Sequence, residues 1–275
     1  MTDTITERTA EAPHCVFESK DFASGAHPVW CPGCGDFGVL AALERALAKH
    51  GRPPHEIVLV SGIGCSSRLP GYMSTYGFHG VHGRALAAAT GLKLTRPDLE
   101  VIVVGGDGDG YSIGGNHFIH ACRRNVDMLY VVMDNRVYGM TKGQPSPTTE
   151  ADWDSDIAPG GIGLRPFNPL AVAIASGANY VARGFSGDPN GLADLILDGL
   201  RVRGRSNECH RTGEYGRGQS ELVHGGSPAC GVCGTMLRAR AARIDARQAS
   251  VNSRSMSATA IDGFSGGATA ARSPR

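Results

Sequence analysis

Cys31 and Cys34, three positions apart in the stretch VWCPGCGDFG, are the first residues of the chain whose type and spacing can do chemistry. Such a pair can hold zinc, cycle as a redox dithiol or supply half the ligands of an iron–sulfur cluster, and the spacing alone does not choose. A second constellation lies in VVGGDGDGYSIGGNHFIHACRRNVDMLYVVMDNRVYG, where Asp107 follows one apolar run and Asn135, 28 residues on, follows the next. A carboxylate, a carboxamide and a nearby backbone carbonyl are hard oxygen donors that suit octahedral Mg²⁺ completed by phosphate oxygens and water. Gly105, Gly106, Gly108 and Gly110 leave room for a diphosphate to approach the backbone. A glycine-rich turn alone is a weak signal, but here the carboxylate, the spacing and the Asn coincide. A dinucleotide site fits less well, because no G-x-G-x-x-G opens a helix directly after the first strand.

These residues can act together only if the surrounding elements bring them to one place. Asp36 is expected to cap a helix in which Val39, Leu40, Leu43 and Leu47 repeat at helical spacing, with Gly51 as its stop. EIVLVSGIG, LEVIVVGG and DMLYVVM are expected as strands, and GRALAAATGLKL and GGNHFIHACRR as helices between them. NPLAVAIASGA and YVARGF continue the alternation, and DPNGLADLILDGLRVRG adds a helix capped by Asp188 with Pro189 in its first turn. Continuous apolar strands separated by helices predict an α/β fold, a parallel sheet with helices on both faces. A strand–helix–strand unit returns the chain in the same direction, so Asp107 and Asn135 emerge on neighbouring strands at the carboxyl edge, where open α/β sheets bind ligands.

Charge divides the chain near position 200. Residues 1–200 hold 15 Lys and Arg against 21 Asp and Glu, whereas 201–275 hold 12 Arg, no Lys and five acids. The domain reading is a mobile extension over 1–20, an α/β domain over 21–204, and an atypical Gly/Arg/Ser-rich tail over 205–275, disordered or aberrant, in which the next expected strand does not come. The basic tail lacks interleaved aromatics, so no nucleic-acid partner is expected. No run approaches the roughly 20 apolar residues of a membrane span, and the start has no signal-like pattern, so a cytoplasmic protein is expected. Eight cysteines without framework spacing point to reduced thiols, some of them metal ligands.

GDGDGYSIGGNHFIHACRRN, MDNRVYGMTKGQPSPTT, WCPGCGDFG and SGIGCSSRLPGYMSTYGFHGVHGRALAAATGLKL together resemble the β subunit of 2-oxoacid:ferredoxin oxidoreductases, most closely the 2-oxoglutarate type, over about residues 20–200. The resemblance implies a thiamine diphosphate-binding fold, with the cofactor held through Mg²⁺ by Asp107, Asn135 and the carbonyl of Val137. It implies a [4Fe–4S] cluster, with Cys31, Cys34 and Cys65 at ligand positions and Cys209 carried as the fourth. Gly106, Gly108, Asp109, Ser66, Ser67, His82 and Arg84 are expected around the diphosphate, and Lys142 against the distal carboxylate of the substrate. The implied reaction is oxidative decarboxylation of a 2-oxoacid to acyl-CoA and CO₂, with coenzyme A as co-substrate and electrons passed through the cluster to ferredoxin. The glutamate that activates the cofactor is expected on a partner α subunit. The alternatives are a non-oxidative thiamine enzyme subunit, a catalytically incompetent chain lacking the final strand and fourth ligand, and a zinc module. The zinc module is disfavoured because CPGC and CGVC are 196 positions apart, Cys34 to Cys230.

Overall fold

A computed structural model describes residues 16–212 and 233–238, the latter and the helix beyond Val202 by their backbone only. All of these belong to one compact unit, Met1–Ala241. The strands are β1 (Ile57–Ser61), β2 (Tyr76–His79), β3 (Glu100–Gly106), β4 (Leu129–Asp134), the short hairpin pair β5 (Val137–Tyr138) and β6 (Gln144–Pro145), β7 (Tyr180–Phe185) and β8 (Cys233–Arg238). The helices are α1 (Asp36–His50), α2 (Ala85–Thr95), α3 (Gly115–Arg124), α4 (Pro169–Ala175) and α5 (Pro189–Thr212). Six strands form one sheet in the order β2-β1-β3-β4-β8-β7.

Successive side chains of a strand point to opposite faces. Accordingly Ile57, Leu59, Ile102, Val104, Leu129 and Val131 join the core under α1 and α5. Their neighbours Val58, Val60, Val101, Val103, Tyr130 and Val132 join the core under α2 and α3. Both faces are covered, as continuous apolar strands require. Gly51 ends α1 in the left-handed conformation at φ 77°, and Asp188 caps α5 by accepting from Gly191 N at 3.1 Å, both as expected. At Gly38 a Cβ would collide with the Ser186 carbonyl, so glycine is what lets α1 lie against the turn between β7 and α5.

One expectation is corrected and three are refined. Asp36 is not the cap of α1: Gly35 holds that position, and Asp36 is its first residue, buried at 4% exposure. The CPGC turn places the helix start one residue earlier and turns the carboxyl inward. The sheet is not wholly parallel, and the tail does contribute a strand. The backbone of Cys233–Arg238 pairs antiparallel with β4 on one side and β7 on the other. A pattern search for four consecutive apolar residues passes over CGTMLR, which has two. The N-terminal extension begins to pack before residue 20 ends, since Phe17 lies against the core that holds fully buried Phe22. Residues 1–15, the rest of the tail, and with them Cys15 and Cys230, lie outside the described residues. Among the described residues no helix is long and apolar enough to cross a membrane.

Candidate functional site

β3 and β4 are paired so that Gly106 stands opposite Met133, which brings the next residues of both strands to one point of the carboxyl edge. Beyond β3 the chain makes one turn of π-helix, Gly108–Ile113, a geometry frequent at functional sites. Beyond β4, Asp134 Oδ1 accepts from Arg136 N and Asn135 Oδ1 from Val137 N, each at 3.1 Å, and Arg136 takes φ 61° to reverse the chain into the β5–β6 hairpin. A cavity of ≈ 240 Å³ opens there, lined among others by Cys65, Ser66, Asp107, Asn135, Val137 and Tyr138. Its wall also includes Gly106, Gly108, Asp109, His82 and Asp36. Gly108 has no room for a Cβ because the Tyr138 ring lies across it, and the Tyr138 hydroxyl donates to Gly108 O at 3.3 Å.

The two aspartates of GDGDG do different things. Asp107, 1% exposed, has no ion-pair partner among the described residues. Its Oδ2 stands 2.8 Å from Thr148 Oγ1, which stands 2.8 Å from Asp134 Oδ1 as well. One hydroxyl carries one proton, so it cannot donate to both carboxylates at once. Burial first, and the Asp134 charge second, push the Asp107 carboxyl up to about 6. Asp109 points the other way: its Oδ1 accepts from Ile63 N at 3.0 Å and Gly83 N at 2.7 Å. His82 Nδ1 lies 2.8 Å from the same oxygen, in ion-pair range but without the alignment of a hydrogen bond. Asp109 thus ties the loops after β1 and before α2 to the turn after β3.

The cysteines converge for a visible reason. Cys34 N donates to Cys31 O at 3.0 Å, closing the CPGC turn with Gly33 at φ 77°. Trp30 Nε1 donates to Cys65 O at 2.7 Å, pinning that turn to the loop after β1. Cys34 and Cys65 are half-buried against the core, and Cys31 is exposed. Burial raises the thiol pKa of both Cys34 and Cys65, and the charges of Asp36 and Cys31 raise both further. Asp36 itself is pushed up to about 6 by burial. Among the described residues no three His, Cys, Asp or Glu side chains crowd closely enough for a single metal ion. A four-iron cluster is larger than one ion, so its cysteines need not meet at a point.

Other expected residues sit outside the cavity wall. Ser67 is fully buried with its hydroxyl unpartnered, Arg84 donates to the carbonyls of Gly83 and Ile113, and Lys142 is exposed in the β5–β6 turn at φ 81°. Cys209 is not brought to the other cysteines. The first turns of α5 lie along the C-terminal half of α1 and run the same way, away from the CPGC turn, with Arg45 bonded to Asn190 and Lys49 to Asp194. Cys209 lies 15 residues beyond Asp194, about 22 Å further along the helix axis. Cys233 is at the right edge instead, its backbone paired with Asp134 and Phe185. Thr148, Tyr138, Trp30 and the inward Asp36 are the residues whose roles motif reading misses; of these, Trp30 and Asp36 flank the CPGC turn and carried a local signal.

The family described as thiamine pyrophosphate enzyme, C-terminal TPP binding domain, matches residues 62–204. A 2-oxoglutarate oxidoreductase subunit KorB of Mycobacterium tuberculosis is 49% identical over 187 residues, 68% of this chain and 50% of that one. A 2-oxoglutarate synthase subunit KorB of Archaeoglobus fulgidus is 48% identical over 65% of this chain and 66% of its own. Among solved structures, a 2-oxoglutarate:ferredoxin oxidoreductase from Magnetococcus marinus, with 2-oxoglutarate, coenzyme A and succinyl-CoA bound, matches with TM-score 0.64 and 44% identity. That match covers 67% of this chain and 64% of the other. The chain spans about half to two thirds of the length of these relatives.

Proposed function

The chain belongs to the thiamine pyrophosphate enzymes, through their C-terminal TPP-binding domain, and from that premise we propose that it serves as the β subunit of a 2-oxoacid:ferredoxin oxidoreductase acting on 2-oxoglutarate. The observation that carries the proposal is the single cavity lined by Asp107, Asn135, Val137 and Cys65. A buried carboxylate without a cationic partner, beside a second carboxylate, is costly unless a cation or a proton compensates it. That donor set fits Mg²⁺. Asp107, Asn135 and the Val137 carbonyl would hold the metal, and Gly106, Gly108, Ser66 and His82 would face the diphosphate. Cys31, Cys34 and Cys65 would hold a [4Fe–4S] cluster beside that cavity, whose wall includes Cys65, and Cys233, whose backbone stands at this edge of the sheet, takes the place of Cys209 as the fourth position. When bound, thiamine diphosphate supplies the chemistry that cleaves a 2-oxoacid at its carbonyl carbon, and the cluster a one-electron relay.

The chain's own residues do the positioning. Thr148 orients Asp107, Asp109 locks the two loops that carry Ile63 and His82, and Tyr138 walls the cavity from the hairpin side. Lys142, on the rim, would meet the distal carboxylate of 2-oxoglutarate. Among the described residues there is one α/β layer set, and relatives are named as β subunits, so an α subunit would present the activating glutamate and complete the site, with coenzyme A and ferredoxin as acyl and electron acceptors. The test is iron and acid-labile sulfide on anaerobically prepared protein with its α subunit, together with coenzyme A-dependent reduction of ferredoxin by 2-oxoglutarate. About four iron and four sulfide per chain and turnover are expected, with Cys233→Ser losing the cluster and Cys209→Ser keeping it. Binding of Mg²⁺ and thiamine diphosphate without iron would favour a non-oxidative enzyme instead.

A further inference from the structure

On the opposite face of the sheet from the cysteines, α2 and α3 leave a cleft of ≈ 360 Å³ that shares no lining residue with the cavity above. Its floor is small or aliphatic, with Leu86, Ala87 and Ala121, so the helices do not close over it. Its polar lining comes mainly from one face of α3. His117, His120 and Arg124, at i, i+3 and i+7, follow one another along the helix. Arg84, at the start of α2, acts on His117 at electrostatic range. Thr90, on α2, spends its hydroxyl proton on Leu86 O at 2.7 Å, and Asn116 offers a carboxamide. No acidic residue lines the cleft.

Two features mark this as more than a solvated basic surface. His120 Nδ1 is sealed from solvent and has no hydrogen-bond partner among the described residues. A ring nitrogen in that state is costly whether it carries a proton or not. The second feature is the convergence of like charges. Burial first, then Arg84, His120 and Arg124, hold His117 below its usual value. Repulsion among neighbours that no acid relieves is relieved by a bound anion. Arg124 in the wall, with Arg84 in electrostatic range of His117, disfavours a cation. Planar guanidinium and imidazole donors on one wall, with a carboxamide beside them, match several oxygens on one centre.

We propose that the α2–α3 cleft is a binding site for a phosphate group, either free phosphate or the phosphomonoester of a nucleotide, held by His117, His120 and Arg124. Binding is linked to protonation, because an anion here favours imidazolium and the imidazolium favours the anion. The charged groups that act on His117 are Arg84 before α2 and Arg124 on α3; α4, which packs on α3, carries no charge, and the turn Gly108–Ile113, which packs there too, keeps its Asp109 on the amides of Ile63 and Gly83.

The test is the pH titration of histidine ring resonances in the full chain, assigned with His117→Gln and His120→Gln. It is run in inorganic phosphate, in adenosine 3′-phosphate, and in chloride at matched ionic strength. Phosphate is expected to raise the apparent pKa of the His117 ring by about half a unit or more relative to chloride and to move the His120 ring resonances. Arg124→Gln, at an exposed position, should reduce that shift severalfold, whereas Asp107→Asn should leave it intact, which separates this site from the thiamine reading. A response to the nucleotide alone supports the proposal and identifies the source as nucleotide-borne. Rings that respond to neither ligand beyond chloride, or a shift indifferent to Arg124→Gln, would overturn it.

Discussion

Asp107 and Asp109 stand two residues apart, both almost fully buried, yet their surroundings give them opposite duties. Asp109 has two backbone amides to accept from and a histidine beside it, so its charge is compensated within the fold. Asp107 has neutral hydroxyls beside it, Ser146 and the Thr148 hydroxyl that Asp134 shares, and no cation, so its charge is fully compensated only when something else arrives. Substitution should therefore separate them. Asp109→Ala leaves the amides of Ile63 and Gly83 unpaired, and a loss of about 1–3 kcal/mol in unfolding free energy is expected. Asp107→Asn removes a carboxyl whose ionisation is disfavoured, so the cofactor-free chain should melt no lower, and at neutral pH higher, while affinity for Mg²⁺ with thiamine diphosphate is lost. Thermal melts and cofactor titrations on the two variants check this. Equal destabilisation by both would mean that Asp107 is as structural as its neighbour.

At the scale of elements, β8 is the decisive member, because it occupies the slot between β4 and β7. A strand bonded on both sides uses every backbone N–H of its interior, and proline supplies none. Thr235, opposite Val132 on one side and Arg183 on the other, is the position to test. Thr235→Pro removes a ladder hydrogen bond and should cost about 1–3 kcal/mol, read as a clear drop in melting temperature; an unchanged melt would mean that β8 does not complete the sheet in solution. The strands that lead to Asp107 and Asn135 were legible because they are continuous apolar runs ending in Gly-Asp or Asp-Asn. β2 was not, since all four of its residues are exposed at the sheet edge and carry no buried-strand pattern. β8 was not, since one Met-Leu pair is too short to distinguish from its Gly/Arg-rich surroundings. Within the site the same limit holds. Asp107 and Asn135 follow from strand ends, but Thr148 reaches Asp107 across 41 residues only because the β5–β6 hairpin folds back. Periodicity does not record such a return.

For the whole molecule, the consequence of placing two carboxyls in a dry carboxyl edge is a stability that depends on both pH and ligand. Asp36 and Asp107 are each pushed up to about 6, chiefly by burial, whereas an unfolded aspartate titrates near about 3.9. Between those values the folded chain holds protons that the unfolded chain has released, so folding is favoured as pH falls through 6 and disfavoured as it rises. Each group contributes about 1 kcal/mol between pH 5 and pH 7.5. The ligand-free chain should therefore melt a few degrees higher at about pH 5 than at about pH 7.5. Mg²⁺ with thiamine diphosphate needs Asp107 ionised, so below pH 6 the cation must displace a proton and its apparent affinity falls by up to about tenfold per unit. Saturating cofactor should then reverse the order of the two melting temperatures, because stabilisation by a ligand scales with its affinity. Four melts, two pH values with and without cofactor, decide the matter. The same pH slope in both pairs would mean that the buried carboxyls and the cofactor do not share a site, and the assignment of Asp107 to the metal would fall with it.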